Sequence, residues 1–181
     1  MSKATTGLML FAVLAGTVIC RQSPAPEGIK VKAPTERSIK EDLENDRKQK
    51  AYRRAAKEAQ VVYRRLGCHT TYAEATGRVA FDAGVSPRIL AALVFVESSC
   101  NPDATSSADS VGLTQINPRV WHYSRTALHD PQRNLEIGAR ILSGYIRRYG
   151  IAGGLHAYNG FGNQTDEYSK KVLTAAGIQA S

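Results

Sequence analysis

The sequence lacks the cysteine and histidine spacings of a metal site. Its 181 residues include three cysteines and four histidines, with no Cys-x-x-Cys and no His-x-x-x-His. Cys68 and His69 are adjacent, and neighbouring residues rarely chelate one zinc ion. We therefore expect no metal and no other cofactor.

Strand-like patterns are also missing. No stretch combines alternating apolar and polar residues with hairpin turn signals, and no internal repeat is visible. The chain is long enough for one domain plus extra segments, and its 43% hydrophobic content is enough for a packed core. We predict an all-α fold, with at most a minor irregular sheet or turn region over residues 103–118.

Helix start and stop signals divide the chain into segments. Ser86 and Pro87 suit the N-cap and first helical position, whereas Gly84, Gly150 and Gly177 suit helix ends. Together with apolar residues at helical spacing, these signals predict helices over residues 38–66, 72–83, 88–98, 132–149, 153–159 and 167–176.

The positive charge is concentrated in the N-terminal third. The net charge is +8, and residues before Cys68 carry 14 Lys/Arg and 7 Asp/Glu, against 10 and 9 from Cys68 on. A charge run is usually a solvated helix face, and an export signal removes the chain from nucleic acid. We expect no nucleic-acid partner, and consider anionic lipid or cell-wall polymer the better match for this basic segment.

Residues 1–20 resemble a targeting segment. Lys3 precedes the apolar stretch GLMLFAVLAGTVIC, which is shorter than the roughly 20 residues that a spanning helix needs. The stretch predicts a secretory signal. A retained membrane anchor, lipidation of Cys20 and a buried N-terminal helix stay open, because the cleavage pattern is poor.

The segments that follow are a linker and a basic arm. Residues 21–37 contain three prolines and little apolar content, which is typical of a linker. Residues 38–67 predict a helix whose second half docks through Ala55, Ala59, Val62 and Leu66. If Cys20 is processed, Cys68 and Cys100 either form a disulfide or remain two separate buried thiols.

One carboxylate lies at the end of an apolar helix. In RILAALVFVES, helical spacing places Glu97 on the same face as Leu90, Leu93 and Val94. Desolvation, the helix dipole and a lack of nearby cations would each raise its pKa. A carboxyl group that resists ionisation suits a general acid. The competing interpretation is a glutamate turned to solvent.

The loop after this helix suits a hydroxylated ligand. Asn101-Pro102 ends the helix, and the small polar residues of ATSSADSVG allow close approach of a large ligand. Residues 112–115 add flexible backbone and an amide side chain, which bind sugar hydroxyls and N-acetyl groups well.

Three blocks of sequence follow known motifs. The first resembles E-S-x-F-N-P-x-A-x-S-x-A-G-A-x-G-L-M-Q at Glu97-Ser98, Asn101-Pro102, Ala104, Ser106, Ala108, Gly112-Leu113 and Gln115. The second resembles D-P-x-x-N-I-x-x-G at Asp130-Pro131, Asn134-Leu135 and Gly138, and the third resembles A-Y-N-A-G at residues 157–160. In this order the blocks resemble the soluble lytic transglycosylase (SLT) domain family, a lysozyme-like fold, and the resemblance covers residues 70–175.

The resemblance implies cleavage of the β-1,4 bond between N-acetylmuramic acid and N-acetylglucosamine in peptidoglycan. Glu97 would protonate the glycosidic oxygen and then, as carboxylate, deprotonate the muramic C6 hydroxyl that attacks C1 of its own sugar. The product is a 1,6-anhydro sugar. One carboxylate suffices because the substrate supplies the nucleophile that a second carboxylate normally provides.

The same resemblance implies roles for four other residues. Ser106 and Gln115 would line the saccharide cleft, Tyr158 would point its hydroxyl at Glu97 or the sugar, and Asn159 would hold that loop or contact substrate. The competing interpretations are a core tyrosine for Tyr158 and a plain turn residue for Ser106.

Two further groups are considered for structural or sugar-stacking roles. Asp130 and Asn134 suit a structural role in helix start and packing. Trp121 and Tyr123 could stack on sugar rings, but a lone tryptophan is more often a core residue, and we expect Trp121 in the core.

The departures from the family pattern bear on substrate and reaction. Cys100 replaces an aromatic residue, and Thr114 and Phe161 would alter the shape of the cleft. Asp109 is a carboxylate on the loop after the catalytic helix, where a hydrolytic enzyme could use one to activate water. Asp103 is a weaker candidate for the same role.

These inferences give a layout and a set of alternatives. Residues 1–20 are the signal or anchor, 21–37 the linker, 38–67 the basic arm and 68–181 the catalytic domain. We expect an exported monomer in the periplasm or cell envelope that acts on peptidoglycan strands, with membrane anchoring and a secretion or phage machine as open partners. The alternatives are a hydrolytic muramidase, a non-catalytic peptidoglycan-binding module and a basic-helix binding protein with a passive C-terminal domain.

Overall fold

A computed structural model describes residues 35–160 and 166–179. All of them belong to one unit that spans Thr35–Ser181. The predictions for the signal or anchor, for most of the linker and for Phe161 lie outside the described residues. No helix in the described part of the chain is long and apolar enough to cross a membrane.

The basic arm forms a long helix, α1 (Glu36–Arg65), as its composition predicts. The Thr35 side chain caps it by accepting a hydrogen bond from the Ser38 backbone amide. The first half of α1 is exposed, whereas the second half buries Ala55, Ala59, Val62 and Tyr63. The predicted docking of the second half is confirmed.

Two helices pack against the buried half of α1. After a 3-10 turn (Thr70–Tyr72), α2 (Ala73–Ala83) ends at Gly84, and α3 (Pro87–Ser98) begins after Ser86. A Cβ atom at Gly77 of α2 would clash with the Ala55–Ala56 backbone, so this glycine allows α1 and α2 to approach closely. Helix α3 is the most buried element, because every residue from Ile89 to Val94 lies in the core.

The segment between α3 and the next long helix is irregular. Isolated β-bridges pair Val111 with Thr105 and with Ile116, and no longer strand occurs in residues 35–160 or 166–179. Two short helices follow, α4 (Pro118–Trp121) and α5 (Arg125–His129). The irregular region was predicted from the sequence, whereas these two helices were not.

The C-terminal part consists of two further helices. Helix α6 (Pro131–Tyr158) is interrupted at Gly150, whose φ of 71° and ψ of 179° are not helical. This break agrees with the two helices predicted on either side of that glycine. Helix α7 (Glu167–Ala176) ends at Gly177 and packs on α3. The described part of the chain is thus all-α, as predicted.

Cys68 and Cys100 form a disulfide, with their Cα atoms 6.0 Å apart. This bond resolves the choice between paired and separate thiols. It joins the chain just after α1 to the chain just after α3, and so holds the end of the helix that carries Glu97.

Candidate active site

The end of α3 is fixed to the loop that follows it. The buried Ser98 hydroxyl lies 2.9 Å from both the Val94 and Leu113 carbonyl oxygens. Ser99 and Cys100 then adopt left-handed backbone conformations, with φ of 50° and 66°. The helix therefore ends abruptly at Glu97-Ser98, and its last turn is tied to the 112–115 segment.

Glu97 is half-buried and accepts a hydrogen bond on Oε1 from the Tyr168 hydroxyl. Burial raises the pKa of the Glu97 carboxyl above its ordinary value. The Tyr168 hydrogen bond and the charge of Lys171 act in the opposite direction, but burial outweighs them. The predicted pKa direction and its desolvation cause are confirmed. The expected lack of nearby cations is wrong, because Lys171 on α7 contributes.

Tyr168 is a site residue that the sequence analysis missed. It lies on α7, 71 positions after Glu97, within a helix whose apolar spacing indicates ordinary packing. Its own pKa is raised, first by burial and then by the Glu97 charge, so the phenol stays a hydrogen-bond donor.

Tyr158 lies close to Glu97, but its hydroxyl forms a hydrogen bond with a different residue. Its hydroxyl donates to the Thr114 carbonyl at 2.9 Å. Burial chiefly raises the pKa of Tyr158, and the nearby Glu97 charge raises it further. Of the two contacts expected for this hydroxyl, the bond to Glu97 is made by Tyr168 instead, while Tyr158 ties α6 to the 112–115 segment. The other, a contact with the sugar, stays a prediction.

The buried Asn134 side chain holds the 112–115 segment in place. The Asn134 amide oxygen accepts from the Thr114 backbone amide and hydroxyl at 2.8 and 2.7 Å. The Asn134 amide nitrogen donates to the Val111 and Leu128 carbonyls, both at 2.9 Å. Gly112, at φ 79°, leaves no room for a Cβ beside this amide. The predicted structural role of Asn134 agrees with these contacts.

The structure also corrects the role expected for Thr114. Its side chain is fully buried against Asn134 and Gly138, so it does not shape a solvent-exposed cleft. Asp130 caps α6 by accepting from the Arg133 amide at 2.6 Å, which agrees with its predicted place at a helix start.

Ser106 and Gln115, which were predicted to line the saccharide cleft, both make hydrogen bonds within the loop that follows α3. The Ser106 hydroxyl oxygen accepts from the Ser110 amide at 3.1 Å. The Gln115 Nε2 atom donates to the Ala104 and Gly112 carbonyls, each at 3.1 Å. These contacts use the acceptor side of Ser106 and the donor side of Gln115. Asn159 is exposed at the end of α6.

The two other carboxylates of this loop are engaged or exposed. Asp109 forms ion pairs with Arg119, at 3.4 Å, and with Arg125. Asp103 is exposed, and its backbone amide donates to the Asn101 side chain at 3.0 Å. Asp109 is thus partly neutralised by two guanidinium groups.

Trp121 lies on the surface, so its expected place in the core is wrong. Its side chain is 37% exposed and makes an edge contact with Tyr145, with ring centroids 6.4 Å apart. Tyr123 is half-buried and packs against the small cluster of Val111, Ile116, Leu128 and Ile137.

No group of three His, Cys, Asp or Glu side chains within the described ranges could hold a metal ion. The chemistry that these residues can supply by themselves is proton transfer by Glu97, with Tyr168 fixing one of its two oxygens.

Sequence comparisons place the site within a matched region. The family model described as "Transglycosylase SLT domain" matches residues 75–179, which include Glu97, the 112–115 segment, Tyr158 and Tyr168.

Curated relatives cover a smaller part of the chain. A protein of Enterobacteria phage PRD1 named "Transglycosylase" is 34% identical over 108 residues, which is 55% of this chain and 41% of the phage protein. The "Endo-type membrane-bound lytic murein transglycosylase A" of Cronobacter sakazakii is 37% identical over 86 residues, or 41% of each chain. The protein of the same name from an Enterobacter species is 34% identical over 84 residues, or 40% of each. The matched region spans about two fifths of each relative.

Proposed function

The chain belongs to the transglycosylase SLT domain family, and we propose that it is a lytic transglycosylase that cleaves peptidoglycan with Glu97 as its single acid and base. The observation that carries this proposal is the half-buried Glu97, whose pKa is raised by burial and whose Oε1 accepts from Tyr168. A carboxyl group whose pKa is raised by burial suits the role of a general acid.

The reaction would proceed in two proton transfers. The protonated Glu97 gives its proton to the oxygen between N-acetylmuramic acid and N-acetylglucosamine as the bond from that oxygen to C1 breaks. The resulting carboxylate takes the proton of the muramic C6 hydroxyl while O6 bonds to C1. Glu97 ends protonated, as it began, the 1,6-anhydro ring is closed, and no water is consumed.

Tyr168 and Lys171 would assist at different stages. The Tyr168 hydroxyl occupies Oε1, which assigns Oε2 to the substrate and holds the carboxyl group in one orientation. The Lys171 charge lowers the pKa of Glu97, which favours the carboxylate that must exist between the two transfers. Tyr168 is in this account a positioning residue.

The saccharide would lie over the loop that follows α3. Among the described residues, the Ser106 hydroxyl donates no hydrogen bond and the Gln115 amide oxygen accepts none. These two groups therefore suit contacts with sugar hydroxyls and N-acetyl groups. We propose that Tyr158 positions the 112–115 segment through its hydrogen bond to the Thr114 carbonyl. We also propose that the exposed Asn159 contacts the glycan strand.

The state of Asp109 favours the transglycosylase over a hydrolytic muramidase. A glycoside hydrolase normally uses a second carboxylate to activate water or to act as nucleophile. The Asp109 carboxylate is instead paired with Arg119 and Arg125.

We further propose that residues 68–181 form the catalytic domain, with α1 as an arm docked on it, and that the protein acts as a monomer in the cell envelope. The relatives whose names describe them as membrane-bound support an envelope location, as does the disulfide, since such bonds persist in oxidising compartments.

The test is digestion of purified peptidoglycan by the full-length protein, beside a Glu97→Gln variant, with muropeptides analysed by mass spectrometry. We expect anhydro products from the wild type and none from the variant, with both proteins equally folded by circular dichroism. Products heavier by one water would show a muramidase. Binding without products from the wild type would show a non-catalytic module.

A further inference from the structure

An aromatic groove lies on the outer face of α6, separate from the residues around Glu97. It is lined by Trp121, Tyr123, Ile141, Gly144, Tyr145 and Tyr149, and encloses about 440 Å³. That volume falls within the range of roughly 300–1,000 Å³ found for small-molecule sites.

Two of the aromatic residues that line the groove are exposed to solvent. Trp121 is 37% exposed and Tyr149 is 42% exposed. Tyr145 lies between them, with ring centroids 6.4 Å from Trp121 and 6.5 Å from Tyr149. Exposed aromatic side chains gathered in a concave site mark a place of binding. Rings of this kind pack against the apolar faces of sugar rings.

The charges at the groove suit an anionic ligand. Arg140 and Arg148 both line it, and the Arg148 guanidinium lies 5.4 Å from the Tyr149 ring centroid. The stem peptides of peptidoglycan carry carboxylates, which arginine binds well. An amino-sugar polymer with acidic substituents therefore matches both the rings and the charges.

The groove is linked to the Glu97 region through shared packing. Tyr123 and Ile141 from the groove and Tyr158 from the active site all pack against the same small hydrophobic cluster. Tyr158 also interacts electrostatically with both Glu97 and Tyr145. Tyr158 therefore lies near both Glu97 and the groove residue Tyr145.

We propose that the aromatic groove is a second glycan-binding subsite, which holds a hexosamine unit of the peptidoglycan strand away from the bond that Glu97 cleaves. This inference rests on the proposed function for its substrate class. It assigns Trp121, Tyr145 and Tyr149 as the sugar platform and Arg140 and Arg148 as contacts for carboxylates.

The single tryptophan of the chain gives a direct probe. The Glu97→Gln protein binds strands without cutting them, so soluble, uncross-linked peptidoglycan strands can be titrated into it while tryptophan emission is followed. We expect a blue shift as a sugar ring covers Trp121. Strand binding measured in parallel by sedimentation, with no change in emission, would overturn the proposal, and so would a complete absence of binding.

Gly144 provides a steric block. A Cβ at this groove-lining position meets nothing within 4 Å, so Gly144→Gln in the Glu97→Gln background fills the groove without disturbing the helix. We expect about three- to tenfold weaker strand binding and loss of the blue shift, the size of one aromatic contact. Gly144→Ala is the matched control and should bind normally. Equal binding by the Gln and Ala variants would overturn the proposal.

A second pair of variants tests the aromatic ring itself, by sedimentation. Trp121→Ala should weaken binding to a similar extent, whereas Phe81→Ala should not. Phe81 is a fair control because it is 45% exposed and makes an edge contact with Tyr52, 5.4 Å between centroids, outside the groove. Equal effects of the two variants would contradict the assignment.

The two proposals fail separately. If the wild type yields anhydro products but Trp121 does not respond, the subsite is wrong and the proposed function stands. If Trp121 responds and Gly144→Gln weakens binding, yet the wild type cleaves nothing, the subsite stands and the catalytic proposal is wrong.

Discussion

The Tyr168 hydroxyl on α7 donates a hydrogen bond to Oε1 of Glu97 at the end of α3. The two residues are 71 positions apart, and the packing of α7 on α3 brings them together. This bond and burial act on the pKa of Glu97 in opposite directions, and burial prevails.

Replacing Tyr168 by phenylalanine should raise the pKa of Glu97 further, because the lost hydrogen bond favours the carboxylate. The first step needs the protonated form, so activity is lost as pH rises through this pKa. We expect the alkaline limb of the kcat profile to move to higher pH. We also expect a roughly tenfold lower maximum, as the carboxyl loses its orientation.

Tyr63→Phe is the matched control for this variant. Tyr63 is a buried tyrosine whose hydroxyl lies 2.8 Å from that of Thr76, and its ring packs in the main core. This variant should lose stability but keep the alkaline limb in place. A Tyr168→Phe profile that is lower but unshifted would show a purely structural role.

Glu97→Gln should stabilise the protein at neutral pH. The folded-state pKa of Glu97 is raised by burial, so the folded protein holds this proton more tightly than the unfolded chain. The stability associated with it is present below the unfolded pKa and lost as pH rises through the folded pKa. Thermal melts at pH 7 should give a higher Tm for the variant, and the difference should shrink toward pH 4. A lower Tm at pH 7 would contradict the assigned pKa direction.

Removing the disulfide should cost about 3–4 kcal/mol of unfolding free energy by the chain-entropy relation, given the 32-residue separation of Cys68 and Cys100. Urea denaturation with and without reductant measures it. The double alanine variant should match the reduced wild type and show no response to reductant. A reductant effect that persists in the variant would show that this disulfide is not its source.

Asp109→Asn should leave the reaction type unchanged. Asp109 forms ion pairs with Arg119 and Arg125, and both arginine side chains are exposed to solvent. Such exposed pairs contribute about 0–1 kcal/mol to the free energy of unfolding. We expect anhydro products at a rate within about threefold of wild type by muropeptide analysis. Loss of all products in a folded variant would restore Asp109 as a catalytic candidate.

Local signals were sufficient for most of the fold. Gly84, Gly150 and Gly177 each mark a helix end or break in the structure, as their positions in the sequence indicate. Such signals act within a few residues, so reading them needs no knowledge of the tertiary arrangement. The helix face that carries Glu97 was predictable for the same reason, because helical spacing places it with Leu93 and Val94. Its catalytic role was inferred from the family resemblance and stays a prediction.

Two of the misses, Tyr168 and Thr114, depend on contacts between distant segments. Tyr168 reaches Glu97 only because α7 packs on α3, and Thr114 is buried only because Asn134 lies beneath it. Trp121 looks like a core residue by composition, but a short helix that begins at the Asn117 cap carries it to the surface. No local periodicity distinguishes these outcomes.

In the proposed reaction the nucleophile is a substrate hydroxyl rather than water. Digestion of peptidoglycan by the full-length protein in water enriched in oxygen-18 tests this most directly, with a hydrolytic lysozyme as the positive control. The account predicts anhydro-muropeptides that carry no oxygen-18, while the control products do. Reducing-end products labelled with oxygen-18 from this protein would contradict it.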